Sequence, residues 1–155
     1  MQGQVRQVKV TGTLDVKINK LANLINESNA VMVYMENNGL GAPIINDVKK
    51  LVHNSGKIVE WTTTNSSKED IISNLAVAIA NKTILFNQED TELFAQFGTF
   101  ICKISKTKKL TFAAQEGKKD DRIMSLAIAL KCKDDNKYVG NMNISFARGG
   151  TKKIC

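Results

Sequence analysis

The sequence has little of what builds small metal clusters and disulfide frameworks, with three cysteines and one histidine among its 155 residues. Cys102, Cys132 and Cys155 are odd in number and show no Cys-x-x-Cys spacing, which excludes a disulfide framework and a zinc cluster and predicts buried or idle thiols. With His53 as the single histidine, a His-rich metal site is excluded as well. A metal ion would therefore be held by carboxylates.

Long hydrophobic runs and nucleotide-binding motifs are also missing. Apolar runs such as 75–80 and 126–130 are far shorter than the roughly 20 residues that span a bilayer, and no basic segment at the N-terminus leads into an apolar stretch. No P-loop, no Gly-x-Gly-x-x-Gly after a strand and no Gly-x-Ser-x-Gly elbow occurs. We therefore expect a soluble cytoplasmic protein with no membrane partner and no P-loop nucleotide site.

A composition of 43% hydrophobic and 24% charged residues fits one globular domain over residues 1–155. Short apolar strands alternate with amphipathic helices, which predicts an α/β fold with a largely parallel core. We predict strands at 4–10, 30–35, 57–61 and 83–86, a hairpin from 100–104 and 110–114, and helices at 14–26, 43–55, 66–80, 91–97 and 120–131. The first helix is predicted from one apolar stripe, formed by Leu14, Ile18, Leu21 and Ile25. The third is predicted from a capping box of Ser66 and Glu69. Residues 132–155 form a weakly patterned tail.

The positive charge is concentrated in the last third of the chain. Residues 1–99 hold 9 basic and 10 acidic side chains, whereas residues 100–155 hold 13 basic and 5 acidic ones. Such clustering is expected of a protein that binds a phosphate backbone, although a solvated lysine-rich surface has the same composition. The candidate DNA-binding residues are Lys106, Lys108, Lys109, Lys118, Lys119 and Arg122.

Acidic residues at the ends of apolar elements are the candidate catalytic groups. Glu36 directly follows an apolar strand, and Asp120 and Asp121 open an apolar helix. Because ligands bind at the carboxyl ends of parallel strands, Glu36 is expected at such a crevice. Carboxylates there suit Mg²⁺ or Mn²⁺, two of which can promote phosphodiester cleavage. The alternatives are a cap or a salt bridge for Glu36 and ordinary helix N-terminal chemistry for the aspartates.

Two of these segments resemble motifs of a viral enzyme family. The segment 31–41, Val-Met-Val-Tyr-Met-Glu-Asn-Asn-Gly-Leu-Gly, resembles the second acidic motif of the nuclease domain in phage terminase large subunits. The segment 119–129, Lys-Asp-Asp-Arg-Ile-Met-Ser-Leu-Ala-Ile-Ala, resembles the final motif of that domain. The segments 62–68, 84–86 and 92–97 are similar to the run between these motifs, so the resemblance covers residues 4–131.

The resemblance implies a ribonuclease H-like mixed sheet flanked by helices and a two-metal nuclease that cuts concatemeric viral DNA during capsid packaging. If the resemblance holds, Mg²⁺ or Mn²⁺ would be bound by Glu36 and by either Asp120 or Asp121. The resemblance does not choose between these two aspartates. It also implies the host bacterial cytoplasm as location. The implied partners are double-stranded DNA, the remainder of the terminase large subunit, the small terminase subunit and the portal.

Two features depart from the family's pattern. Lys119 precedes the aspartates where the family often has histidine, and no strand corresponds to the one that carries the family's first acidic ligand. Asp15 is the nearest early acid, but its place at a helix start suits capping. We therefore expect a nuclease domain that is incomplete at its N-terminus, lacks the ATPase domain and cuts poorly alone. The alternatives are another ribonuclease H-like nuclease, of the resolvase type, and a non-catalytic nucleic-acid-binding module.

Overall fold

The computed structural model describes residues 3–5, 7–39, 41–104, 110–136 and 143–146. The described residues form an α/β fold, which confirms the predicted fold class. The helices are α1 (Leu14–Glu27), α2 (Gly41–Leu51), α3 (Asn65–Ala80), α4 (Thr91–Thr99) and α5 (Asp121–Asp135), and the strands are β1 (Gly3–Gln4), β2 (Ala30–Glu36), β3 (Ile58–Trp61), β4 (Ile84–Leu85), β5 (Phe100–Ile104), β6 (Leu110–Ala114) and β7 (Asn143–Phe146). None of the helices in this part of the chain is long and apolar enough to cross a membrane.

The central strand of the largest described sheet is β2, in the order β3-β2-β7. The pairing of β2 with β3 is parallel and sets Glu36 beside Trp61, with α2 as the connection between the two strands. The pairing of β2 with β7 is also parallel, although the weak pattern of the tail predicted no strand there. Two smaller sheets complete the described strands, a parallel pair of β1 with β4 and the antiparallel hairpin of β5 with β6.

Both faces of β2 are covered, as its apolar sequence predicts for a strand in a parallel sheet. Val33 and Met35 pack in a buried cluster with residues of α1 and α2. Met32 and Tyr34 pack on the other side against α5. Val31 is the exception and stays exposed. The strand therefore joins the two halves of the core and fixes the position of its last residue, Glu36.

The most deeply buried element is α5, in which every residue from Ile123 to Leu130 is buried. A helix that is apolar on all sides belongs in the middle of a core, and α5 packs against both α3 and β2. Tyr34 links the layers, because its hydroxyl donates to Asp135 at 2.6 Å and its ring stacks on Trp61 with centroids 5.7 Å apart. The helix runs four residues beyond its predicted end at 131.

Besides the end of α5, the boundaries differ from the sequence predictions for α2, which ends four residues before its predicted end, for the first strand and for the start of α3. The strand predicted at 4–10 is only β1, since Val5 is the last residue that hydrogen-bonds to β4. The predicted capping box of Ser66 and Glu69 is wrong. Thr64 is the N-cap instead, and its hydroxyl and the Ser67 hydroxyl each accept a bond from the other residue's backbone N–H. Thr64 precedes the helix in an extended conformation, which suits an N-cap.

The thiols provide a test of this core. Cys132 is fully buried, and burial raises the pKa of its thiol from 9.0 to about 12, whereas Cys102 on β5 is exposed. With a Cys155→Ser background, we expect iodoacetamide near pH ~8 to alkylate Cys102 more than about a hundredfold faster than Cys132. Mass spectrometry of timed samples measures both rates. Similar rates in native buffer, instead of only after denaturation, would contradict the packing of α5 on β2.

Candidate functional site

A cleft of about 450 Å³ opens between α1, the end of β2 and the start of α5, and we call it the β2–α5 cleft. Its lining combines apolar side chains of α1 and α2 with charged side chains from five segments of the chain. The charged residues are Lys9, Lys17, Glu36, Glu92, Lys119, Asp121 and Arg122. The cleft therefore joins residues of both segments that resemble the terminase motifs.

Glu36 is held in place at the end of β2. Its Oε1 accepts a hydrogen bond of 2.6 Å from the hydroxyl of Thr63, and that hydroxyl accepts one of 3.2 Å from the indole N–H of Trp61. The chain of donors runs from β3 to the carboxylate and fixes the orientation of the Thr63 hydroxyl. Glu36 thus reaches the β2–α5 cleft as a half-buried, oriented carboxylate.

The residues after Glu36 form a tight connection to α2. The Asn38 side chain bonds both backbone groups of Thr63, donating to its carbonyl at 2.8 Å and accepting from its N–H at 3.0 Å. Gly39 has a φ of +61°, which favours glycine. A Cβ at Gly41 would lie 2.4 Å from the carbonyl oxygen of Glu36, so α2 can begin there only with glycine. These contacts give a physical reason for the Asn-Asn-Gly-x-Gly pattern.

The structure separates the two adjacent aspartates. Asp121 is exposed and lines the β2–α5 cleft together with Glu36. Asp120 instead accepts a bond of 2.9 Å from the Lys68 ammonium on α3, with both side chains about a quarter exposed. Lys68 also lies 5.9 Å from the centroid of the Phe100 ring. Of the two candidate ligands, Asp121 is therefore the one that faces the cleft, and Asp120 joins α5 to α3.

The donor set in the cleft can be compared with what Mg²⁺ or Mn²⁺ requires. Mg²⁺ is bound in many enzymes by one or two carboxylates, with water and substrate phosphates completing its coordination. Glu36 and Asp121, which both line the cleft, match this pattern in the number of carboxylates. Within the described ranges, no group of three or more His, Cys, Asp or Glu side chains is placed to hold a metal ion. The described part of the chain therefore offers no ligand group of the size that the two-ion site implied by the resemblance needs.

Arg122 is engaged inside the protein. Its guanidinium lies 3.0 Å from a carboxylate oxygen of Asp90, and its Nε donates to Glu92 at 2.9 Å. Hydrogen bonds with Arg122 hold the pKa of the Glu92 carboxyl below its usual range. The backbone N–H of Arg122 donates to Gln96, and its guanidinium also donates to Gln7. This geometry serves to fix the start of α5 on α4 and on the segment before α1.

The predicted DNA-binding lysines fall into three groups. Lys119 is exposed and lines the β2–α5 cleft, and Lys118 beside it is exposed but does not line the cleft. Lys106, Lys108 and Lys109 lie outside the described residues.

Sequence reasoning missed three charged residues that line the cleft, namely Lys9, Lys17 and Glu92. One signal for Lys17 was present. Leu14, Lys17 and Leu21 recur at steps of three and four and therefore share one face of α1. All three line the cleft, and Leu14, predicted on the buried stripe, is 55% exposed there.

Comparisons with protein-family models, with curated proteins and with solved structures found no match to the chain.

Proposed function

We propose that the chain is a nuclease domain of the viral terminase type, with a ribonuclease H-like fold, that hydrolyses phosphodiester bonds of DNA with Mg²⁺ or Mn²⁺. One observation carries this proposal. Glu36 and Asp121 come from distant parts of the chain, yet both line the β2–α5 cleft. The resemblance to terminase motifs names Glu36 and the adjacent pair Asp120 and Asp121, to which Asp121 belongs. The parallel pairing of β2 with β3 supports the proposed site, because it puts Glu36 at the carboxyl end of the sheet, where ligands bind in α/β proteins.

The side chains of the cleft have distinct parts in this reaction. Glu36 and Asp121 would hold the ion, and Thr63 keeps the Glu36 carboxylate turned toward it through the 2.6 Å hydrogen bond. When bound, the ion supplies an activated water and stabilises the leaving oxygen. Lys119 adds positive charge beside Asp121 and attracts the phosphodiester. With two carboxylates in place of three, we expect weak ion binding and slow cutting.

A second candidate is a nucleic-acid-binding module without catalysis. It is favoured by the lack of a three-ligand metal group in the described part of the chain and by the lysines around the cleft. Under this alternative, Glu36 would serve only to connect β2 with the segment after β3.

The proposal is tested by incubating the purified chain with plasmid DNA and Mn²⁺, with EDTA as the metal-free control. We expect slow nicking that requires Mn²⁺ and is lost in Glu36→Gln, a substitution that keeps the size of the side chain and removes its charge. Glu116→Gln is the matched control, because Glu116 is exposed and lies away from the cleft. Circular dichroism confirms that both variants are folded. DNA binding without any nicking would favour the binding module, and nicking that survives Glu36→Gln would overturn the site.

A further inference from the structure

Three lysines from separate segments surround the β2–α5 cleft. Lys9 precedes α1, Lys17 lies on α1, and Lys119 precedes α5. Lys9 is 3.7 Å from Glu92, a carboxylate that Arg122 already binds. Among the described residues, neither Lys17 nor Lys119 forms an ion pair. The lining as a whole holds four basic and three acidic side chains, so Lys17 and Lys119 are the basic groups left to attract an anionic ligand.

The same cleft has apolar surface that the described residues leave uncovered. Leu14 is 55% exposed, and Val10 and Ile44 are half-buried beside it in the lining. A ligand that fits both parts has an anionic group next to a flat apolar one, as a nucleotide has in its phosphate and its base. Proteins that bind single strands combine a basic groove with aromatic side chains on which bases stack, whereas the described lining here offers aliphatic side chains, against which a base packs through apolar contacts.

The size of the cleft restricts the ligand further. Its 450 Å³ lies in the range of roughly 300–1,000 Å³ that is typical of small-ligand pockets. A B-form duplex is too thick to enter such a volume, because the depths of its two grooves alone add up to about 16 Å. A single nucleotide unit that has left its stack can enter, as in enzymes that act on unpaired bases.

We propose that the β2–α5 cleft receives one nucleotide of an unpaired DNA strand, with Lys17 and Lys119 on its flanking phosphates and Leu14 and Ile44 against its base. DNA as the ligand class rests on the proposed function. The unpaired form of the strand and the positioning roles of Lys17 and Lys119 go beyond it. The proposal gives a role to Lys17, which lies in residues 1–99, the part of the chain without excess positive charge. The strand then passes between the two lysines and over the carboxylates Glu36 and Asp121.

The test measures binding in EDTA, so that it does not depend on cleavage. Fluorescence anisotropy follows a labelled single strand of about 12 nucleotides and a closed hairpin duplex of the same sequence. The variant is Lys17→Glu with Lys119→Glu. The matched control is Lys20→Glu with Lys118→Glu, because Lys20 and Lys118 belong to the same two segments but do not line the cleft.

For the single strand, we expect Lys17→Glu with Lys119→Glu to raise the Kd by about tenfold or more and to flatten the slope of log K against log salt by about 1.4, as two lost phosphate contacts require. The control should change the Kd by less than about threefold, because neither Lys20 nor Lys118 lines the cleft and so neither is placed to contact the bound phosphates. Duplex affinity should be lower than single-strand affinity and insensitive to the cleft variant.

Equal losses in the variant and the control, or equal binding of both DNA forms, would overturn the inference. The outcome is separable from that of the proposed function. Cleft-dependent binding of the single strand without Mn²⁺-dependent nicking would refute the nuclease but keep the binding mode. Nicking that needs Glu36 but not Lys17 or Lys119 would refute this binding mode but keep the nuclease.

Discussion

Replacing Asp121 by asparagine is expected to lower Mn²⁺-dependent DNA cleavage by at least about a hundredfold, or ~2.7 kcal/mol in the activation free energy, while Asp120→Asn leaves the rate within about threefold of the wild type. The reason is the separation of the two side chains. Asp121 lines the cleft with Glu36, whereas Asp120 is paired with Lys68. Asparagine keeps the shape of each side chain and removes only its charge, so the comparison isolates the carboxylate.

Asp120→Asn should instead act on stability. A partly exposed ion pair contributes up to about 1 kcal/mol, so the free energy of unfolding should fall by no more than that. Single-turnover nicking assays and urea unfolding of both variants measure the two effects. If both substitutions lowered cleavage equally, the aspartates would act together through the start of α5, and the assignment of Asp121 to the cleft chemistry would fail.

Arg122→Met is expected to destabilise the fold by about 2–3 kcal/mol, which is less than a fully buried ion pair would lose. The substitution leaves Asp90, a largely buried carboxylate with 17% side-chain exposure, without its guanidinium partner. It also removes a donor from Gln7. We attribute the loss to these groups and not to the exposed Glu92. Arg122→Lys should recover only part of it, because an ammonium cannot bind both carboxylates in the same geometry.

The pH dependence of the free energy of unfolding provides a second test of the role of Arg122. Arg122 lowers the pKa of Glu92 in the folded chain, so the contribution of this group is present above the unfolded pKa and is lost as the pH falls through the folded pKa. Urea unfolding between neutral and acidic pH should therefore show a shallower acid loss in Arg122→Met than in the wild type. Unchanged stability combined with weaker DNA binding would mean that Arg122 contacts phosphate after all.

The sequence allowed accurate prediction where local pattern decides the structure. The hairpin of β5 and β6 has the predicted ends, since two short apolar segments flank a polar stretch of sequence, and β2 follows from its apolar run. The cleft was harder, because neighbouring residues at a helix start point about 100° apart, and only packing decides which of Asp120 and Asp121 faces β2. Leu14 is a second example of this limit. Helical spacing places it on the apolar face of α1, but the spacing does not show whether that face packs in the core or lines a cleft.

The pairing of β2 with β7 has a consequence for the order in which the chain folds. Tyr34 lies in register with Phe146, so this edge of the sheet joins residues that are far apart in sequence, whereas β2, α2 and β3 are consecutive. Closing a long loop costs more conformational entropy than closing a short one, and folding steps that depend on a long loop are therefore slower. The unit of β2, α2 and β3 should therefore assemble first, and β7 should join last. Until then, one edge of β2 is open to other strands, and newly made chains are exposed to aggregation at that edge.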